Sequence, residues 1–170
     1  MLRRHRLLTC VPLGERFILT GTDITAQKQA AEALRLSEQR LQAIFEHSPN
    51  AITLMEYETG RIEAVNEAFV RTTGVPRGQI IGRTTLELDV IRDAERRASL
   101  YAELAASGRV SNWEFWFHPR SGPPRLGALS LELVTIAGRK YHLGTMLDIT
   151  ERARAEAQLR ESRAMFEQLY

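Results

Sequence analysis

Hydrophobic positions follow a helical period at two places in the chain and a two-residue period between them. Ala30, Leu34, Ser37, Leu41 and Ile44 are spaced 4, 3, 4 and 3 residues apart, and Ala155, Leu159, Ser162, Phe166 and Leu169 repeat that spacing. This is the a/d seam of a coiled coil. Isolated helices this short are marginal in water, so each must bury its stripe, against a twin helix or against its own domain. Asp23-Ile24-Thr25 and Asp148-Ile149-Thr150 stand at the two helix starts and offer N-caps; Asp148 with Glu151 also fits a capping box.

Between the helices, residues 46–150 read as one unit. Ala51–Glu58 is a strand candidate, Thr59-Gly60 its turn, and Arg61–Val65 a second strand. Asn66 stands where an N-cap is wanted, before a short helix Glu67–Thr72 that ends at Gly74. Pro76 opens a helical stretch, Arg77–Ile81, which Gly82 stops; Asp93 can cap a longer helix, Ala94–Ser107, with Gly108 beyond it. Three long strands follow. Val110–His118 puts Trp113, Phe115 and Phe117 on one face and Glu114, Trp116 and His118 on the other. Leu126–Ile136 aligns Leu129, Leu131 and Leu133, and Ala137-Gly138-Arg139 turns the chain into Lys140–Leu147. Short turns predict an antiparallel meander, with helices covering one sheet face in an α+β fold.

The chain echoes itself at an offset of 125 residues. Seven of the 23 positions in 23–45 are identical in 148–170: Asp23/Asp148, Ile24/Ile149, Thr25/Thr150, Ala30/Ala155, Leu34/Leu159, Arg35/Arg160 and Ser37/Ser162. Upstream, with one residue of slippage, the segment Val11–Phe17 resembles Val134–Tyr141, and both read as strand, Gly turn, strand. Four segments follow. Residues 1–22 are expected to be the terminal hairpin of a preceding copy, 23–45 an amphipathic linker helix, 46–150 the central domain, and 151–170 a C-terminal linker helix.

Composition adds exclusions. The 23 basic and 21 acidic residues leave a net charge of +2, which gives no electrostatic case for nucleic acid or an anionic membrane surface. Cys10 is the only cysteine, so no intrachain disulfide forms and a reducing compartment suits the chain. No apolar run is long enough to span a bilayer, and Thr9, Pro12 and Gly14 interrupt the stretch after Arg3–Arg6, so it does not read as a signal peptide. A cytoplasmic location is expected, with any membrane anchor elsewhere in a longer protein. No Gly-rich phosphate loop, His-Glu-x-x-His motif, paired-cysteine motif or nucleophile triad is present, so no catalytic residue and no metal site is predicted.

The order of elements, together with particular strings, resembles the PAS family. The strings are Leu41-Gln-Ala-Ile-Phe45-Glu-His-Ser48-Pro49, Val65-Asn66-Glu67-Ala68-Phe69, Thr73-Gly74, Ile80-Ile81-Gly82-Arg83, and Gly144-Thr145 leading to Asp148-Ile-Thr150. Their order and spacing carry the resemblance. It implies a five-stranded antiparallel sheet, strand order 2-1-5-4-3, with helices on one face and often a small cavity beneath them. It also implies a bacterial sensor before an output domain such as a histidine kinase or diguanylate cyclase, in a two-component or related system. The signal would pass through coiled-coil linkers in a homodimer. Asp148 and Thr150 would pin the output junction, and Asp23 and Thr25 the upstream one. The dimer seam would use Leu34, Leu41, Ile44, Leu159, Phe166 and Leu169.

By the same resemblance, flavin–cysteinyl photochemistry would need a cysteine on the helix after the second strand, and Cys10 lies outside the unit. The resemblance would place a haem ligand on the longer helix, which has no histidine, so haem is not expected; His47, His118 and His142 lie elsewhere. Trp113 and Trp116 leave FAD open, because aromatic faces stack on flat rings, although such a stripe is ordinarily core and interface. A small metabolite also stays open beside a core filled by side chains. The candidate lining of a cavity is Ile52, Leu54, Phe69, Ile81, Leu100, Leu104, Phe115, Leu131 and Leu143, which are also the expected core.

Overall fold

A computed structural model describes residues 4–14 and 16–169; residues 1–3, 15 and 170, and the side chains of residues 13, 168 and 169, lie outside the described residues. The chain divides into two compact units, Met1–Ile44 and Phe45–Tyr170.

The first unit opens with a hairpin of β1 (Arg6–Leu13) and β2 (Arg16–Asp23), paired antiparallel from Arg6↔Asp23 to Leu13↔Arg16. It leads into α1 (Thr25–His47). The expected linker helix at 23–45 is therefore shifted by two residues at each end. Asp23 is still in the ladder, and its Oδ1 accepts the Thr25 amide at 2.9 Å, so the helix starts only after it.

The second unit is built from β3 (Ala51–Glu56), β4 (Ile62–Val65), α2 (Glu67–Thr73), α3 (Arg77–Ile80), α4 (Ala94–Ser107), β5 (Arg109–Phe117), β6 (Arg125–Ile136), β7 (Arg139–Asp148) and α5 (Thr150–Leu169). The five strands form one antiparallel sheet in the order β4-β3-β7-β6-β5, the order that the resemblance implied. Local signals set the helix ends. Asn66 and Asp93 cap α2 and α4 by accepting the amides of Phe69 and Arg96, and Gly74 and Gly108 end them in the left-handed conformation that glycine adopts without strain.

One face of the sheet carries the core. Ala51 and Met55 of β3, Phe115 and Phe117 of β5, Leu131 of β6 and Met146 of β7 pack against Phe69, Ile80, Leu100 and Leu104 from the helices. Val90 and Ile91, from the irregular segment between α3 and α4, complete it. Close approach has one demanding point. A Cβ on Gly144 would stand 2.5 Å from the Thr53 hydroxyl and 3.0 Å from Leu131, so glycine is what lets β7 pass between β3 and β6 at this depth.

Candidate functional site

Three places in the second unit could receive or transmit a signal: a cavity under the helices, the entry from α1, and the exit into α5.

The cavity holds about 40 Å³ and is lined by Thr53, Met55, Phe69, Val90, Ile91, Leu100, Tyr101, Phe115, Leu129, Leu131, Gly144 and Met146, with Ala51 and Thr85. Of the expected lining, Phe69, Leu100, Phe115 and Leu131 are placed there. Ile52, Leu54 and Leu143 are not; they belong to the opposite, half-buried face of the sheet. Apolar residues occupy both faces of β3 and β7, so alternation alone does not reveal which parity points inward. Ile81 is exposed, because α3 ends at Ile80 and Ile81 takes extended backbone angles that turn it outward. Leu104 is buried but lies beside a separate groove with Tyr57, Tyr101, Leu133 and His142. Sequence reasoning missed Val90, Ile91, Thr85 and Tyr101. The first three come from an aperiodic segment, whose only signal was its apolar content between Gly82 and Asp93.

Neither tryptophan lines this space. Trp113 stacks on Phe115, with centroids 5.4 Å apart and the Arg96 guanidinium over its ring, and Trp116 is exposed. His47 is exposed at the end of α1, and His118 sits just past β5. His142 is buried against the edge of Tyr57, and burial lowers the pKa of its imidazole. None of the three lines the cavity. Cys10 is exposed on β1. Among the described residues, no three His, Cys, Asp or Glu side chains gather as metal ligands.

At the entry, Asn66 is fully buried and uses its whole amide. Its Oδ1 accepts the backbone amides of Ile52 and Phe69 at 2.9 and 3.0 Å, and its Nδ2 donates to the carbonyls of Phe45 and Asn50 at 3.0 and 2.9 Å. One side chain thus ties the last turn of α1 to β3 and to α2. Arg77 adds a second tie. It donates to both carboxylate oxygens of Glu46, at 3.0 and 2.8 Å, and to the Val65 carbonyl at 2.7 Å, while Glu46 also accepts the Glu67 amide. The Arg77 hydrogen bonds hold the Glu46 carboxyl below its ordinary pKa.

At the exit, β7 passes into α5 through Asp148, Ile149 and Thr150. Asp148 Oδ1 accepts from both the amide and the hydroxyl of Thr150, at 3.0 and 2.6 Å. The Thr150 hydroxyl oxygen accepts the Leu126 amide at 2.9 Å, and Ile149 donates to the Leu126 carbonyl. Arg125 pairs with Asp148 at 3.2 Å. Burial opposes ionisation of Asp148, but Thr150 and Arg125 together outweigh it and lower its pKa. The capping box does not form: Glu151 pairs with Arg154 instead, because Asp148 is already held by Thr150. Asp23 and Thr25 repeat this arrangement in the first unit, with His5 in the place of Leu126.

Leu34, Leu41, Ile44, Leu159 and Phe166 are all exposed, so neither helix buries its stripe within the chain. The helical position of Leu169 is described; its side chain is not.

A family model described as "PAS domain" matches residues 39–105. Among solved structures, the PAS domain of an HTR-like protein from Haloarcula marismortui matches with 26% identity over 72% of this chain and 99% of that one, TM-score 0.61. A PAS domain from a two-component sensor histidine kinase matches at 16% identity, covering 67% and 97% of the two chains, TM-score 0.56. The Rhodobacter sphaeroides LOV protein matches at 23% identity, covering 65% and 66%, TM-score 0.55. Among curated proteins, none matches the chain. The second unit is a sensory module of the kind typical of signalling proteins, a type that is typically non-catalytic. Residues 39–105 thus match the PAS domain model, and the second unit has the fold of the solved PAS domains.

Proposed function

We propose that the chain relays a signal as a homodimer, passing a change in the PAS sheet through the β7–α5 junction to a histidine kinase or diguanylate cyclase joined to the same polypeptide. The junction carries this reading. Its hydroxyl, carboxylate and backbone bonds couple the first turn of α5 to β6, so a shift in the sheet is felt at the start of an exposed amphipathic helix. A helix with an uncovered a/d seam pairs with its twin, and a small rotation or shift within that pair is a two-state element that an attached domain can sense. The partners are then neighbouring PAS or output domains and a second copy, not nucleic acid or a membrane surface. The chain itself supplies no chemistry, and it works in the cytoplasm. No described helix is long and apolar enough to cross a membrane.

A second reading, a chemosensor, is favoured by the cavity and by the similarity to a LOV protein. Size decides what it could hold. A space of 40 Å³ takes a few waters or a very small molecule, whereas ligand sites usually measure several hundred Å³. FAD or haem would need the core to open several-fold. An empty cavity of this size costs about 1 kcal/mol, well within what a domain tolerates, so its presence does not demand a ligand.

Native mass spectrometry of freshly purified protein tests both readings. The relay reading expects a dimer without flavin or haem. A monomer at every concentration contradicts it, and a stoichiometric retained molecule transfers support to the chemosensor.

A further inference from the structure

The hairpin in the first unit exposes apolar side chains on both faces and, among the described residues, pairs with no further strand, although two-stranded ribbons are marginal in water. The junction hydrogen bonds identify what it is part of, independently of sequence identity. His5 does for Thr25 and Ile24 what Leu126 does for Thr150 and Ile149: each amide donates to the threonine hydroxyl, and each carbonyl accepts the isoleucine amide. That correspondence sets β1 on β6 at an offset of 121 residues and β2 on β7 at 125. The ladders then coincide. Arg6↔Asp23 matches Gly127↔Asp148, and Leu13↔Arg16 matches Val134↔Tyr141. The difference of four residues lies wholly at the tip, where β6 and β7 each run two residues further. An even difference per strand leaves every side chain on its corresponding face. This register replaces the one-residue slippage that sequence alone suggested.

The faces can now be assigned. Leu8, Cys10, Phe17 and Leu19 correspond to Leu129, Leu131, His142 and Gly144, which face the helices of the second unit. Leu131 is 3% exposed and His142 8%, whereas Leu8 is 63%, Phe17 70% and Leu19 65% exposed. The outer edges of β1 and β2 correspond to edges that β5 and β3 occupy in the second unit.

We infer that this hairpin is the last two strands of a second five-stranded sheet, completed by polypeptide that precedes it. That segment would add one strand beside β1, two beyond β2, and helices over Leu8, Phe17 and Leu19. Chain order favours this occupant over a second copy. In the second unit everything that covers the equivalent face precedes the hairpin in sequence. A hairpin from a second copy would bring strand edges but no helix layer.

The test compares hydrogen exchange of the 6–23 amides in this chain and in a longer polypeptide extended by about 100 residues of its own upstream coding sequence. The inference expects protection in the longer chain to rise by about 100-fold or more. It also expects Leu19→Lys, on the face to be covered, to abolish that gain while Thr20→Lys, on the opposite face, keeps it. Equal exchange in both chains, or an upstream sequence that does not continue the reading frame, overturns it. So does protection that already appears in the 170-residue chain as concentration rises, which would assign the face to a second copy.

Discussion

Asn66 shows what one residue can fix. Replacing it with alanine leaves the Phe45 and Asn50 carbonyls and the Ile52 and Phe69 amides without their partner. At roughly 1 kcal/mol for each of the four lost bonds, Asn66→Ala should cost about 4 kcal/mol and lower the melting temperature by roughly 15 °C in thermal denaturation. Gly144→Ala should also destabilise, by about 1–3 kcal/mol, because the new methyl meets Thr53 and Leu131, and calorimetry will measure it. Titration adds a pH signature. Burial keeps His142 neutral in the folded state, while the unfolded chain takes up a proton near 6.5. The unfolded state therefore binds more protons, and stability falls as pH drops below 6.5 towards the lowered folded-state value. Asp148 acts in a separate window: its contribution is present above its ordinary 3.8 and is lost as pH falls through the lowered folded-state value. Denaturant midpoints measured from pH 7 to about 5 should decline in the wild type and flatten in His142→Phe.

At the scale of elements, the Thr150 hydroxyl stands between a strand and the helix that leaves it. Thr150→Val keeps the shape of the side chain but removes the bond to Leu126 and the donor to Asp148. Global stability should fall by only about 1 kcal/mol, while amide exchange at Thr150–Ala153 accelerates, so that α5 loosens from the sheet without the sheet unfolding. Mass spectrometry of exchanged peptides separates the two effects. Element identities were largely legible in the sequence, because their signals are local: Asn66 and Asp93 as caps, Gly74 and Gly108 as stops, and alternation along β5 and β6. The inward faces of β3 and β7 were not, because Ile52, Leu54 and Leu143 are as apolar as the residues that point into the core. The cavity wall given by Val90 and Ile91 has no period to read. The Glu46–Arg77 pair, 31 residues apart, was beyond local patterning altogether.

For the whole molecule, the proposed relay rests on the exposed seams. Burying a leucine in a helix pair contributes about 1.5–3 kcal/mol, and on the proposed relay Leu34, Leu41 and Ile44 of one helix and Leu159 and Phe166 of the other would each be buried against a twin. An aspartate in such a seam exchanges that gain for a buried charge. Light scattering across the micromolar range therefore tests the account most directly. It predicts the mass of a dimer for the wild type and a shift to monomer in Leu159→Asp, with the melting of the PAS sheet unchanged. A wild-type chain that stays monomeric throughout, or a dimer indifferent to both Leu34→Asp and Leu159→Asp, would contradict it.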